Sequence, residues 1–294
     1  MSKNNILIIG GDGFIGKALA KKLKEQQDTV YTTTRHYDSI SEKNLYLDFS
    51  QDITDFIIPE GVDLAFICAA KTNIVECEKN PEIAHKINTL NPIYLAEKLL
   101  EKGIFVVFLS TSAVFDGSKP YFKAEESPCP KTTYGKTKAE VEAYLKKHPE
   151  HTLIVRPTKV LSHETPLIKS WLSALSTGKE ITPFIDLSIA PIHLDYLVDA
   201  LIVAGKSKKG GVLQVSGSED ITYEEFARSL AHAIGKSDIL IRGVCSKDSA
   251  VKVVHRHDFS SLDPSESERK YNISSQMKGD IIYRIQSKNL IGGK

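Results

Sequence analysis

The chain has few cysteines, almost no excess charge and no long apolar segment, and each of these absences excludes a class of protein. Its 294 residues contain 4 cysteines, and none of them forms a Cys-x-x-Cys pair, which argues against a zinc ribbon or a thioredoxin-type redox motif. The formal net charge of +1 gives no basic excess of the kind that binds nucleic acid. No uncharged apolar run reaches the roughly 18 residues that a membrane-spanning helix requires.

The amino terminus also lacks the pattern of a secretory signal. The only apolar stretch before the first glycines is Ile6 to Ile9, which is shorter than the roughly 7 residues of a minimal signal-peptide apolar region. A disulfide framework is not expected in a long chain without such a signal. We therefore predict a cytoplasmic protein with reduced thiols, no metal site, no nucleic-acid partner and no membrane association. Cys68 lies in an apolar run and is predicted to be a core residue.

What the chain does contain is an alternation of short apolar segments and helical patterns. Its 41% hydrophobic and 26% charged residues are typical of a globular protein and exclude disorder. Alternation at these lengths predicts right-handed βαβ units, so we predict an α/β fold with a Rossmann-type doubly wound parallel sheet. The predicted strands are 5–10, 29–34, 63–70, 104–110 and 152–156, and the predicted helices are 14–24, 81–103 and 134–147.

The pattern loosens after Pro157, which predicts a second and smaller part of the chain. We place the Rossmann-type domain at 1–157, with a return of residues near 185–205 to it, and a smaller C-terminal lobe at 158–294. Thr222 and Glu225 have the spacing of a capping box at the start of a helix. In the second part we expect helices at 166–177, 195–204 and 222–234, a strand at 211–216, and a polar, helix-forming segment at 261–275.

A glycine-rich segment joins the first predicted strand to the first predicted helix. In a dinucleotide site the first glycine permits a tight turn, the second lets the backbone approach the pyrophosphate, and the third lets the helix pack closely on the strand. The helix N-terminus then faces the phosphates. The alternative is a glycine-rich turn that binds no ligand. We predict that the cofactor-binding residues of this loop are Gly10, Asp12, Gly13, Phe14, Ile15 and Gly16.

The end of the second predicted strand bears on which nicotinamide cofactor is bound. NAD sites place an acidic side chain about 20 residues after the glycine loop, where it holds the ribose 2′-hydroxyl. This chain has Arg35 at that place, and a guanidinium can pair with a 2′-phosphate, so NADP is the predicted cofactor. Asp38 lies nearby and keeps NAD as the alternative. A solvated surface charge is the alternative interpretation of Arg35.

Tyr134 and Lys138 lie one helical turn apart at the start of a predicted helix, which puts them on one face. A phenol with an ordinary pKa of about 10 is a poor proton donor at neutral pH, and a neighbouring cation lowers that pKa. Ser110, Thr111 and Ser112 follow an apolar strand, at the edge where parallel sheets bind ligands. A hydroxyl there can bind the substrate oxygen that the tyrosine protonates, and spacing alone leaves open which of the three does so.

With these motifs in order, the chain resembles the extended short-chain dehydrogenase/reductase superfamily, and within it most closely the dTDP-4-dehydrorhamnose reductase family. The glycine loop is close to the superfamily signature, and the helix that begins near Tyr134 is similar to its catalytic helix. Further similar segments are Leu47-Asp48-Phe49, Cys68-Ala69-Ala70-Lys71-Thr72, Ile87-Asn88-Thr89, Val114-Phe115-Asp116-Gly117, Pro191-Ile192-His193-Leu194-Asp195 and Ser261-Leu262-Asp263.

The resemblance implies hydride transfer from a nicotinamide to a keto carbon of a nucleotide-linked deoxysugar. It implies that Thr111 orients the carbonyl, that Tyr134 protonates the alkoxide, and that Lys138 binds the nicotinamide ribose and lowers the tyrosine pKa. By analogy it also implies that the C-terminal lobe binds substrate and that the chain forms a homodimer. The cofactor-binding residues that we predict outside the glycine loop are Arg35, Asp48, Phe49, Ala69, Ala70, Lys71, Ser110, Tyr134, Lys138 and Pro157.

The chain departs from the family pattern directly after Thr111. It has Ser112-Ala113 where the reductases carry Asp-Tyr and where the dehydratases of the superfamily carry Asp-Glu. Without an acid and a base at this place, elimination of water is not expected. Small residues here are typical of 4-epimerases. Arg35 in place of an acid and the short second lobe favour a reductase that uses exchangeable NADPH. We predict an NADPH-dependent reductase of a nucleotide-linked 4-keto-deoxysugar, with an NAD-dependent nucleotide-sugar 4-epimerase and a non-catalytic, cofactor-binding regulatory subunit as alternatives.

Overall fold

The computed structural model describes residues 4–291, and the chain divides into two compact units. The first unit comprises Met1–Phe115, Ser127–Arg156 and Val198–Leu213, and the second comprises Asp116–Glu126, Pro157–Leu197 and Gln214–Lys294. Residues 292–294, at the end of the predicted C-terminal lobe, lie outside the described residues. Within the described part of the chain, no helix combines the length and the apolar character that crossing a membrane requires.

Every strand predicted before residue 157 is present, and several shorter elements were not predicted. The strands are β1 (Asn5–Ile9), β2 (Thr29–Thr34), β3 (Asn44–Tyr46), β4 (Leu64–Ile67), β5 (Phe105–Leu109), β6 (Thr152–Pro157), β7 (Lys159–Leu161), β8 (Ser188–Ile189), β9 (Pro191–His193), β10 (Gly211–Val215) and β11 (Ile221–Thr222). The helices are α1 (Phe14–Glu25), α2 (Ile74–Lys79), α3 (Pro81–His85), α4 (Asn91–Glu101), α5 (Thr133–Leu145), α6 (Pro166–Ser176), α7 (Leu194–Ser207), α8 (Tyr223–Ala233), α9 (Ser265–Tyr271) and α10 (Lys278–Ile291).

The first unit is built on a seven-stranded sheet with the strand order β10-β6-β5-β4-β1-β2-β3. The strands from β6 to β3 pair in parallel, and β1 lies between β2 and β4. The predicted α/β fold with a Rossmann-type doubly wound parallel sheet is confirmed. The strand order reverses beside β1, and open sheets of this type bind ligands beyond the carboxyl ends of the strands at that reversal.

Both faces of this sheet are covered, as its continuous apolar strands require. On one face Phe66 and Val107 contact α7, where a Cβ added to Gly205 would lie 2.7 Å from the Phe66 ring. On the other face Ile67 and Phe108 belong to a buried cluster that includes side chains of α4 and α5. Because the strands are packed on both sides, the loops at their carboxyl ends start from fixed positions.

The second unit holds two short strand pairs, β7 with β9 and β8 with β11. Its core is formed by α6, α8 and α10, and it includes Trp171, Phe226 and Ile281. Trp171 is therefore a packing residue of this unit. The capping box predicted at Thr222 and Glu225 is confirmed, because each side chain accepts a hydrogen bond from the backbone of the other residue.

Two predicted helices differ from the structure. The helix predicted at 81–103 is interrupted by a π-helical turn at Lys86–Leu90, between α3 and α4. Pro92 has no backbone N–H to donate to the carbonyl four residues earlier, which favours a wider turn before it. The helical segment predicted at 261–275 is confined to α9. This helix begins directly after Pro264, and it ends before Asn272, whose φ of 56° is left-handed.

Candidate active site

The glycine loop lies between β1 and α1 at the carboxyl edge of the sheet. Gly10 has a φ of 87°, which side chains disfavour, and its N–H donates to Thr33 Oγ1 at 2.9 Å. A Cβ on Gly16 would collide with the carbonyl oxygen of Gly10, so the turn requires glycine at both places. Asp12 and Phe14 are exposed beside the loop, and Ile15 is half-buried.

The start of α1 is suited to an anion. Gly13 is the N-cap residue, no side chain among residues 4–291 caps it, and the first turn has no acidic residue. The N–H groups of a first helical turn have no partner within the helix, and they carry the positive end of the helix dipole. The residues present therefore fit the pyrophosphate of a dinucleotide.

The loop after β4 adjoins the glycine loop. The N–H of Ala69 donates to the carbonyl of Ile9 at 3.0 Å, and a Cβ added to Gly10 would lie 2.8 Å from the Ala69 nitrogen. The next segment is held by Asn88, which is fully buried in the π-helical turn. Its side chain accepts a hydrogen bond from the Lys71 N–H at 2.7 Å and donates one to the Lys71 carbonyl at 3.0 Å. Ala70 lies half-buried between these two anchored residues.

Three further predicted cofactor residues follow β2 and β3. Arg35 comes directly after β2 and is exposed. Asp48 is half-buried, and its carboxylate accepts a hydrogen bond from the Ser50 N–H at 2.8 Å. Phe49 is 4% exposed and packs in the core of the first unit. Arg35 therefore keeps a charged group available at the sheet edge, whereas Phe49 contributes mainly to packing.

The predicted catalytic residues come together within the first unit. Thr111 follows β5 and begins a short turn, and Tyr134 and Lys138 lie on the first two turns of α5. A Cβ on Gly135 would collide with the carbonyl oxygen of Ala113, so α5 packs directly on the turn after Thr111. This close approach brings the Thr111 side chain near enough to the Tyr134 phenol to influence its pKa.

Tyr134 is held in its protonated form. Burial raises its pKa to about 12, the Cys77 thiol adds to the increase, and the hydrogen bond with Thr111 acts against it. The expectation that Lys138 lowers this pKa is therefore not met, because the loss of solvation of the phenolate dominates. Tyr134 is therefore protonated at neutral pH, as an ordinary tyrosine is, and without a bound cofactor it is a weaker proton donor than a free phenol.

Lys138 is 2% exposed, and its Nζ lies 3.9 Å from the centroid of the Phe108 ring. Burial lowers the pKa of Lys138 to about 7, against the opposing influence of Cys68 and Glu142. Cys68 is half-buried and close enough to act on Lys138, so the prediction that it is a core residue was wrong. Burial raises the pKa of the Cys68 thiol to about 12.

A buried carboxylate beneath these groups was not predicted. Glu142 accepts a hydrogen bond from the Ser110 hydroxyl at 2.5 Å. It also forms an ion pair with Arg156, in which Nη2 lies 2.6 Å from Oε2. Ser110, predicted to bind cofactor, thus directs its hydroxyl to Glu142, and Pro157 ends β6 directly after Arg156. The available signal was spacing, since Glu142 lies one helical turn after Lys138 as Lys138 does after Tyr134.

The lowered pKa of Lys138 predicts a dependence of stability on pH. Between its folded value of about 7 and its ordinary value of 10.5, the unfolded chain binds more protons than the folded protein. Stability therefore rises with pH in this range, by up to about 1.4 kcal/mol per pH unit. We expect Lys138→Met to lack this contribution when urea unfolding is compared at pH 7 and pH 9.

The control for this measurement is Lys136→Met, which removes an exposed lysine of the same helix and should keep the wild-type slope. The comparison stops near pH 9 because Cys68 has a raised pKa in the folded protein. Above the ordinary pKa of a thiol, the folded protein therefore binds more protons at Cys68 than the unfolded chain does, and this lowers stability as the pH rises. Equal slopes for wild type and Lys138→Met would contradict a lowered pKa at Lys138.

Comparison with known proteins is consistent with this site. A probable low-salt glycan biosynthesis reductase, Agl14, of Haloferax volcanii is 24% identical over 95% of this chain and 96% of its own. A dTDP-4-dehydrorhamnose reductase of Sinorhizobium fredii is 26% identical over 76% of each chain. The structure of a dTDP-4-dehydrorhamnose reductase from Bacillus anthracis in complex with NADP is 20% identical, with a TM-score of 0.82 over 98% of this chain and 99% of that chain, and shows a shared fold.

The family predicted from the motifs is confirmed by a match that extends well beyond them. The model of the RmlD substrate binding domain matches residues 4–282, which include the glycine loop, the Tyr134 helix and most of the second unit. The chain belongs to the RmlD substrate binding domain family.

Proposed function

We propose that this chain is an NADPH-dependent reductase of a nucleotide-linked 4-keto-deoxysugar. The observation that carries the proposal is the placement of the Tyr134 phenol beside the turn that begins at Thr111 and one helical turn from the buried Lys138. The three lie on the unit that also carries the glycine loop. The reductases among the relatives support the same chemistry.

NADP is the cofactor that we propose. The glycine loop and the uncapped start of α1 would hold the pyrophosphate, and Arg35 would pair with the 2′-phosphate. Lys138 would bind the nicotinamide ribose, and Ala69 and Ala70 would line the cleft beside it. The NADP complex of the Bacillus anthracis protein supports this assignment.

The residues of the chain then divide the reduction among them. A nicotinamide bound at this site would supply the hydride that adds to the keto carbon. Thr111 donates a hydrogen bond to the carbonyl oxygen and so stabilises the negative charge that develops there. Tyr134 donates its phenolic proton to that oxygen, which becomes the product hydroxyl. Lys138 holds the ribose and, while protonated, offers a positive charge near the phenolate that remains.

Ser112 and Ala113 restrict the reaction to this step. Neither side chain can serve as the carboxylic acid and carboxylate that elimination of water from the sugar requires. The keto group is therefore reduced without dehydration. The specific base and sugar of the substrate are not fixed by these residues, so the substrate is proposed as a class.

Calorimetric titration of the ligand-stripped protein with NADPH and with NADH tests the cofactor. We expect reversible binding that favours NADPH, and we expect Arg35→Ala to lose most of that preference. Lys24→Ala, which removes an exposed cation from α1, is the matched control and should bind both cofactors like wild type. Loss of NADPH absorbance with a panel of nucleotide-linked 4-keto sugars then tests the reductase activity.

The alternatives give different results in the same titration. Copurified NAD⁺ that resists stripping would overturn the proposal in favour of a 4-epimerase, which retains its cofactor through the cycle. Binding of neither cofactor would contradict the role of the glycine loop. NADPH binding without turnover of any keto sugar in the panel would favour a non-catalytic subunit.

A further inference from the structure

The buried carboxylate of Glu142 has no part in the mechanism above, although it lies directly beside it. Tyr134, Lys138 and Glu142 follow one another at intervals of one turn along the inner face of α5. Glu142 and Arg156 are both fully buried. Arg156 donates from Nε to Oε1 at 3.0 Å and from Nη2 to Oε2 at 2.6 Å, in a forked arrangement.

Stability is a weak explanation for this ion pair. Removing two charges from water costs a large free energy, and well-packed apolar residues commonly stabilise a core equally well. The pair is also more elaborate than packing requires, because Ser110 adds a hydrogen bond to Oε1 at 2.5 Å from the end of β5. A buried charge fixed by three donor groups beside a reactive lysine points to an electrostatic role.

The groups that act on Lys138 identify that role. The Cys68 thiol faces it from the segment after β4, the Phe108 ring faces it from β5, and Glu142 faces it from its own helix. Burial keeps the thiol neutral at pH 7, since it raises the pKa of Cys68 to about 12. Glu142 is therefore the only one of the three with a negative charge at neutral pH, and it opposes the loss of the Lys138 proton.

We propose that Glu142 is a positioning residue for the proton of Lys138. Its carboxylate, held in place by Arg156 and Ser110, keeps the buried ammonium protonated to a higher pH than burial alone would allow, and so competent to bind the nicotinamide ribose. The proposal rests on the proposed function for the use of Lys138 in reduction. The location of the proton is a property of the chain alone and is measured without substrate.

The test is a titration of the Lys138 ¹⁵Nζ resonance by nuclear magnetic resonance, with the signal assigned by its loss in Lys138→Met. The variant is Glu142→Gln with Arg156→Gln, which removes both charges together and leaves an amide oxygen for the Ser110 hydroxyl. We expect the titration midpoint of Lys138 to fall, because the negative charge of Glu142, one helical turn away, acts on Lys138 more strongly than the positive charge of Arg156 that is removed with it. As the pH is raised, the affinity of the variant for NADPH should begin to decline at a lower pH than that of wild type, because Lys138 loses its proton earlier.

The matched control is Asp28→Asn with Lys206→Gln. This removes another ion pair of the first unit, with Nζ and Oδ2 2.6 Å apart, and should leave the Lys138 midpoint unchanged. If the amide variant does not fold, Glu142→Met with Arg156→Met gives the same readout, since apolar pairs commonly replace buried ion pairs.

An unchanged Lys138 midpoint in a folded charge-free variant would overturn the proposal. A lowered midpoint together with a wild-type protein that reduces no keto sugar would uphold it and reject only the proposed function. If the wild-type protein reduces keto sugars but the charge-free variant has the wild-type Lys138 midpoint, the role of Glu142 would be rejected and the proposed function upheld.

Discussion

Replacing Tyr134 by phenylalanine is expected to lower kcat for reduction of a nucleotide-linked keto sugar about 1,000-fold, the middle of the range for loss of a general acid. The ring is retained, so the packing of α5 should be unaffected. The proton donor is lost, and Thr111 can stabilise the alkoxide by a hydrogen bond but does not give up its proton to it. Single-turnover oxidation of bound NADPH measures the step directly, and NADPH affinity should change by less than about twofold, because the phenol acts on the substrate oxygen.

The control for this substitution lies on the same helix. Tyr144 is half-buried on α5, three turns from the site, and Tyr144→Phe removes an equivalent hydroxyl without removing the acid. It should retain wild-type turnover. Turnover by Tyr134→Phe that stays within tenfold of wild type would reject the acid role of Tyr134 and would require another proton donor.

The features that sequence predicts well are those that depend on local geometry. The three spaced glycines where β1 passes into α1 specify a turn that other residues cannot form, and the structure places Gly16, in the first turn of α1, against the carbonyl of Gly10. Continuous apolar segments likewise predict strands that are buried on both faces, as β4 and β5 are. In each case the pattern and its physical cause lie within a short stretch of chain.

The features that sequence misses arise where distant segments meet. Glu142 looks like one more acidic residue of a polar helix until Arg156 and Ser110 are brought to it from two strands. The π-helical turn that buries Asn88 against Lys71 is hidden inside a continuous helical pattern. The site is therefore predictable as a set of motifs, whereas its electrostatics follow from the tertiary fold.

The pKa of Tyr134 shows how far this difference extends. A Tyr-x-x-x-Lys spacing suggests a lysine that lowers the tyrosine pKa, but spacing carries no information on burial. In the fold Lys138 is buried and Tyr134 is half-buried, and this loss of solvation raises the pKa of Tyr134 to about 12 and lowers that of Lys138 to about 7. Both shifts favour the neutral form, as burial does for any ionisable group. A neighbouring negative charge is therefore needed to favour the charged form of Lys138, and Glu142, one helical turn away, supplies it.

Replacing Arg156 alone by methionine is expected to destabilise the protein by about 3–5 kcal/mol, because it leaves the Glu142 carboxylate buried without its partner. Both side chains have 0% exposure, so water cannot replace the guanidinium without local opening of the fold. Denaturant unfolding at neutral pH measures the loss. Arg269→Met is the matched control, since its ion pair with Glu266 is exposed and its removal should leave the unfolding midpoint unchanged.

The double replacement Arg156→Met with Glu142→Met separates the cost of an unpaired charge from the value of the pair. We expect it to recover most of the stability that Arg156→Met loses, because no charge then remains buried. A double variant that is nearly as stable as wild type but has a lowered Lys138 titration midpoint would assign the ion pair to function. A double variant as unstable as Arg156→Met would instead show that the pair contributes its own stability, and that this core depends on the forked contact between β6 and α5.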